Sequence, residues 1–451
     1  MTDFIHTRFA SCFDAERVRE SITVRPPSLV SLNDTHPFVA AEILSDSLKQ
    51  IFIPNQFSLQ FISEMLGKAY LHHCYLFSSE VEYTSKIYNP PEVEVSPVCV
   101  TGLAGVGKSR TLVALQKVMP EPIEYLSQHY SGAVTLVSHW YASARGKLSG
   151  KGLLCDFLSL KLNAQVSVGK YLLECRRRAN RDGVSLVLLD ELQHISTGPG
   201  SAKVTEILLT MAAIGPPMVY ACNYSLLHKL LRRNSEDKQR LLSEPRIMLP
   251  DEPGSKDWID YIDECVRVSG GHIRPGATEF AAEIYRCTFG IKRLVVLLLK
   301  QAYVECRSDG RSWVELSDLG RAYRSAAFTS NAIDVEELHL QALNSRQTTR
   351  LDLRCPFDLP VARKTNIVKF AKAERDSRVI ATVFDSALTE RERAAKNRIL
   401  GPSASSSTTG RVKRTRKPVA EKLSEADQAK AFFEYLANSS SPGKSEKPEK
   451  N

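Results

Sequence analysis

Between Pro97 and Pro250, short apolar runs alternate with stretches whose apolar residues recur at helical spacing. Val98-Cys-Val100 reads as a buried strand, followed by a glycine-rich loop and a helix over Lys108 to Val118. Ala133 to Val137 reads as the second strand and Ser185-Leu-Val-Leu-Leu189 as the third. Met218 to Cys222 is the fourth and Arg246 to Leu249 the fifth. The third run is wholly apolar after Ser185, as expected of a strand covered on both faces. Short strands separated by helices predict a three-layer α/β fold with a parallel sheet, its core spanning residues 96–250.

The flanks differ in pattern. Residues 1–95 form an N-terminal extension, partly helical: Leu59, Ile62, Leu66, Ala69 and Tyr70 share one helical face within Phe57 to Phe77. Pro90-Pro91 closes that segment. After Asp251-Glu-Pro-Gly254 the pattern is all helical, with amphipathic stretches at Trp258 to Val268, Ala277 to Cys287, Lys292 to Arg307 and Val314 to Ala326. They predict a helical domain over residues 251–345. Residues 346–400 read as a helical or irregular linker, where Thr389 and Glu392 stand in capping-box spacing. From Gly401 a Ser/Thr/Gly run and Arg411-Val-Lys-Arg-Thr-Arg-Lys417 predict a disordered basic tail over 401–451. Within it, Ser424 to Ala437 is a short amphipathic segment around Phe432, Phe433 and Leu436.

Composition narrows the class. The chain has 451 residues, 43% hydrophobic and 25% charged, enough for two or three domains with a real core. Its ten cysteines are scattered without a C-x-x-C pair, so a disulfide framework or zinc site is not expected. The N-terminal residues carry no leader pattern, and no uncharged stretch approaches the roughly 20 apolar residues of a membrane span. The expectation is a cytoplasmic protein with no membrane partner. A net charge of +9 favours an anionic partner.

The chemistry is concentrated in a few places. Gly102, Leu103, Ala104, Gly105, Val106, Gly107, Lys108 and Ser109 match the phosphate-binding loop, with a strand before and a helix after; Arg110 adds a cation in the first turn. Small residues let the backbone N–H groups close around phosphates, Lys108 neutralises the outer ones, and Ser109 is placed to ligate magnesium. Asp190 and Glu191 end the wholly apolar strand, where a carboxylate is costly unless it faces a cleft or a metal. Asp190 then holds magnesium, and Glu191 activates the attacking water. Asn223, ending the next strand, is placed to reach that water or to start the following helix, two compatible roles. Arg232, Arg233 and Arg240 supply cations near the sheet edge, one of which suits a neighbouring subunit's γ-phosphate. Lys292 and Arg293 open a strongly apolar helix where a cation can fold over the nucleotide. His139 to Lys151 mixes glycines, aromatics and cations in one loop, giving Arg145, Lys147 and Lys151 as contacts to a DNA backbone; Arg176 to Arg178 reads as a solvated helix face.

Taken in this order, the features resemble the AAA+ ATPases, rather than the kinases or GTPases that share the loop. Within them, Leu188-Leu-Asp-Glu-Leu-Gln-His194, Arg240-Leu-Leu-Ser-Glu-Pro245, Thr288-Phe-Gly-Ile-Lys-Arg-Leu294 and Val314 to Ser325 look like the transposition regulators of the TnsC/TniB type. The likeness covers about Phe57 to Leu343. It implies an AAA+ sheet with a helical lid and ATP with Mg2+ as cofactors. It also implies a homo-oligomer, ring or helical filament, on double-stranded DNA, gripped without regard to sequence. Partners implied are a target-selection protein and a transposase, for which the basic tail and Phe432/Phe433 suit docking. Two other readings share the nucleotide residues: an AAA+ loader or initiator of DNA replication, and a signalling switch ATPase that binds proteins and no DNA. A scaffold that holds ATP without turnover is a third. Residues after Arg346 show no clear helix-turn-helix pattern, which separates the regulator from the initiator.

Overall fold

The structure, a computed structural model, describes residues 7–392 except 31, 94, 128, 129, 131, 147, 148, 198, 199, 275–278, 344–348, 359, 360 and 390. Residues 1–386 form one compact unit and 387–451 a second. The Arg411 to Lys417 tail and the Phe432/Phe433 segment lie outside the described residues. In the second unit the capping pair anticipated from sequence is made: Glu392 Oε2 accepts from the Thr389 N–H at 2.8 Å, and Thr389 Oγ1 from the Glu392 N–H at 3.4 Å.

In chain order the first unit runs α1 (Ala15–Ile22), α2 (Pro37–Gln50), α3 (Gln56–Leu76), α4 (Glu80–Tyr88), β1 (Val98–Gly102), α5 (Lys108–Val118), β2 (Ile123–Leu126), β3 (Ala133–Leu136), β4 (His139–Ser143), α6 (Gly150–Phe157), α7 (Val168–Arg181) and β5 (Leu186–Asp190). It continues with α8 (Gly200–Ala212), β6 (Met218–Asn223), α9 (Tyr224–Leu230), α10 (Ser235–Leu241) and β7 (Glu244–Met248). The helices α11 (Lys256–Val268), α12 (Glu279–Thr288), α13 (Lys292–Ser308), α14 (Leu316–Arg324), α15 (Thr329–Leu343) and α16 (Val361–Ala387) complete it.

Strands β4, β5, β6, β1 and β7 form, in that order, one all-parallel sheet. Alternation along β1, β5 and β6 divides their side chains between two faces. Val98, Val100, Leu186, Leu188, Val219 and Ala221 pack with Phe61 and Ile62 of α3 and Leu112 and Leu115 of α5. Cys99, Val187, Leu189, Tyr220 and Cys222 face the other way, with Leu208 and Met211 of α8. Both faces are covered, hence the wholly buried strands. The register sets Gly102 opposite Asn223 and Asp190 opposite Ser143, so the strands' C-terminal ends share one edge.

Two expectations are corrected. Ala133–Leu136 is a strand but not part of this sheet: it pairs antiparallel with Ile123–Leu126 in a separate ribbon. The sheet's second strand is His139–Ser143, which the sequence placed in a DNA-contacting loop. Beyond Arg346, where the sequence signal fades, α16 docks on the helical domain: Ala371 is buried, and the Phe370 ring meets Tyr285 at 5.0 Å, nearly edge-on.

The N-terminal segment ties the helical domain to the sheet layer. Leu29 N–H donates to Val268 O at 2.9 Å, and Arg25 pairs with the buried Glu264 at 2.7 Å. Asn55 is the hub: its Oδ1 caps α3 by accepting from the Ser58 N–H at 2.9 Å, while its Nδ2 donates to Asp251 Oδ1 at 2.6 Å. Ser58 Oγ lies 3.2 Å from Thr111 Oγ1 on α5, and Lys292 of α13 stands 3.3 Å from Asp251 Oδ2. Asn55, Ser58, Thr111 and Asp251 are all buried. Asn55→Ala removes the α3 cap and leaves the buried Asp251 carboxylate with Lys292 but without its amide donor, an expected loss of about 2 kcal/mol. A lower urea midpoint with unchanged slope reports it; an unchanged midpoint refutes the hub.

Candidate active site

The phosphate-binding loop leaves β1 at Gly102 and turns into α5. Leu103 and Val106 are buried anchors, so the backbone between them arches outward. Gly105 (φ +82°) and Gly107 (φ +124°) occupy the left-handed region open to glycine. A Cβ at Gly105 would stand 2.6 Å from the Cβ of Arg293, and the Gly105 carbonyl accepts from the Arg293 N–H at 3.2 Å. Gly107 occupies the N-cap of α5 with no side chain to cap it, leaving first-turn N–H groups for an anion. Lys108 is buried; its Nζ donates to the carbonyls of Gly102 at 2.9 Å and Leu103 at 2.8 Å. Burial lowers its pKa to about 8, with nearby Cys222 and Asp190 opposing the shift.

At the end of β5 Asp190 is 4% exposed, and burial raises its carboxyl pKa from the ordinary value. The Ser109 hydroxyl and the Glu191 N–H, the latter donating at 2.8 Å, pull the other way. Glu191 itself has φ +56°, a conformation side chains rarely adopt and one that tends to gather at functional sites. Its Oε2 lies 3.2 Å from His194 Nε2. Asn223 sits at the N-cap position that starts α9 but makes no side-chain capping bond.

These groups line one cavity of about 720 Å³. Its walls bring together Ala104, Gly105, Gly107, Lys108, Ser109, Arg110, Asp190, Glu191, Asn223, Lys292 and Arg293. Arg110 also donates to the Lys49 carbonyl. Arg232, Arg233 and Arg240 are not among its lining residues. Arg233 is tied to Asp237 at 2.9 Å and Arg240 to Glu236 at 3.0 Å, whereas Arg232 is exposed and has no ion pair among the described residues.

The DNA candidates separate as well. Arg145 is exposed in the turn after β4, and Lys147 lies outside the described residues. Lys151 belongs to α6 and donates to the Ala164 carbonyl at 3.1 Å. Arg176 and Arg178 are not a solvated face: Arg176 Nε donates to Ala213 O at 2.7 Å and Arg178 Nη1 to Leu158 O at 3.0 Å.

Sequence reasoning missed one whole wall. Ile51, Phe52 and Ile53 of the N-terminal segment, with Tyr261, Val296 and Leu297 of the helical domain, form an apolar side of the cavity. The Ile51-Phe-Ile53 run between two helices was the available signal. Tyr141 of β4 was missed too; its phenol pKa is raised by burial and by the nearby charges of Asp190 and Glu191.

Among the described residues no group of three or more His, Cys, Asp or Glu side chains gathers as a metal site, and no helix is long and apolar enough to cross a membrane. No protein-family model matches the sequence, and no curated protein is significantly similar to it. Solved structures are similar in part. Drosophila ORC bound to DNA shares 14% identity at a TM-score of 0.40, covering 88% of this chain and 89% of that one. The Aeropyrum pernix ORC1 protein in complex with DNA shares 15% at 0.38, covering 67% and 83%. The Thermotoga maritima RuvB Holliday junction branch migration motor shares 12% at 0.33, covering 61% and 74%. Likenesses this distant leave the function to the geometry of the site.

Proposed function

We propose that the chain is an AAA+ ATPase that assembles on double-stranded DNA and regulates transposition, hydrolysis dissolving the assembly. The observation that carries the ATPase reading is the single cavity where the glycine loop, the Asp190–Glu191 pair, Asn223 and the cations of α13 converge. Loop N–H groups and Lys108 hold the phosphates, and the apolar wall of Phe52, Tyr261 and Leu297 suits the base. Glu191 accepts the proton of the attacking water, Asn223 orients that water, and Lys292 and Arg293 meet the phosphate end.

The residues fit magnesium. Asp190 is a buried carboxylate on the same cavity wall as the Ser109 side chain, and a cation there would offset its burial. One or two protein ligands completed by phosphate and water is the ordinary magnesium set. Bound there, the ion supplies neutralisation of charge on the outer phosphates. Arg232, exposed and outside the cavity, is our assignment for the group that meets a neighbouring subunit's γ-phosphate.

The net charge of +9 and the exposed Arg145 support a DNA partner, and the described residues after Leu343 contain no helix-turn-helix. Filter binding of duplex DNA with a non-hydrolysable ATP analogue tests this reading. Binding is expected to require the analogue, to strengthen with duplex length, and to fall linearly in log affinity with log salt. Sequence-specific binding would favour a replication initiator. No binding at moderate salt would favour a protein-only switch. Transposase activity stimulated by the ATP-bound form checks the transposition step.

A further inference from the structure

We propose that His194 is the positioning residue for Glu191, a role that rests on Glu191 being the base for ATP hydrolysis. The chain leaves β5 through a tightly specified turn. Asp190 Oδ1 accepts from the Glu191 N–H at 2.8 Å, Glu191 adopts φ +56°, and its carbonyl accepts from the His194 N–H at 3.1 Å. That last bond opens the short 3-10 helix Leu192–Thr197, which returns the imidazole to the carboxylate. His194 Nε2 then stands 3.2 Å from Glu191 Oε2. A carboxylate oxygen only accepts, so Nε2 carries the proton in this contact.

The turn is anchored on both sides of the histidine, because Leu192 and Ile195 are fully buried in the core beneath the sheet. The backbone beneath His194 is therefore fixed, and the two partly exposed side chains, 43% for His194 and 27% for Glu191, restrict one another's rotamers when paired. Holding Oε2 turns the carboxylate so that Oε1 is available to the water. A base acts only within hydrogen-bond reach and in the right orientation, so a rotating carboxylate spends most of its time unproductively. The motif Asp190-Glu-Leu-Gln-His194 thus carries two functions three residues apart: the base and the group that aims it.

The competing account is a partly exposed pair that only staples the turn. Steady-state ATP hydrolysis and binding of an ATP analogue, measured on the full chain for wild type, H194A, H194Q and E191Q, separate the two. His194→Ala is expected to lower kcat about tenfold, with KM and analogue affinity within about twofold of wild type. His194→Gln, whose amide N–H reaches the same oxygen, is expected to recover most of that loss. Wild-type turnover in H194A overturns the proposal, as does an H194Q variant as slow as H194A. An E191Q variant with wild-type turnover would remove the base assignment and this proposal with it. A slow E191Q beside a normal H194A removes this proposal alone.

Discussion

Lys108→Met is expected to weaken ATP binding on the order of 100-fold while leaving the protein at least as resistant to heat as wild type when no nucleotide is present. The two halves have one cause. Charge-assisted hydrogen bonds contribute about 1.5–3 kcal/mol each, so losing those from Lys108 to the outer phosphates weakens binding on the order of 100-fold. Without nucleotide the same ammonium is buried, its Nζ donating to the Gly102 and Leu103 carbonyls with the Asp190 charge nearby. Its lowered pKa, about 8, records what burial costs the charged form. Methionine keeps the length and sheds the charge, so the cost of burying that charge goes with it. Titration with a fluorescent ATP analogue reads the first half and a thermal melt the second. ATP should raise the wild-type melting temperature, because a ligand binding only the folded state at 100 times its Kd adds about 2.7 kcal/mol. The variant should show no such rise. Retained affinity, or a lower melting temperature without nucleotide, would contradict the placement of Lys108.

How much was legible follows from the physics of each element. β1, β5 and β6 are buried on both faces, so each is an apolar run that stands out. The glycine loop was legible because backbone conformation there restricts residue type directly. β4 escaped because it is an edge strand: His139, Trp140, Tyr141 and Ser143 are only half-buried or exposed, and the mixture resembles a loop. Its neighbour misled for the converse reason. In β3, Val134 and Leu136 are buried while Ala133 and Thr135 are exposed, the alternation of a strand with one covered face. Read for period rather than for apolar content, that run argues against a central parallel strand. The hub at Asn55 was beyond reach, since its partner Asp251 lies 196 residues away and neither stands in a motif. His194 was inside a quoted motif, but its contact depends on the left-handed turn at Glu191, and that backbone excursion leaves no mark on the residue pattern.

Glu191→Gln is expected to retain ATP and lose turnover by about 10²- to 10⁴-fold, the usual contribution of a positioned general base. Gln is isosteric and neutral, so the loop, Lys108 and the Ser109–Asp190 pair keep their places while the proton acceptor disappears. Removing one of two adjacent carboxylates also relieves a repulsion, since the Glu191 charge is among the influences raising the Asp190 pKa. Nucleotide affinity should therefore hold or improve. If hydrolysis dissolves a DNA-bound assembly, the same variant should accumulate on DNA: with ATP it should behave as wild type does with the non-hydrolysable analogue. Single-turnover hydrolysis measures the first effect, and the dissociation rate from duplex DNA after dilution measures the second. Lost hydrolysis with unchanged DNA lifetime would keep Glu191 as the base and discard the timer. Unchanged hydrolysis would discard both, and would require another acceptor in the cavity within reach of the water.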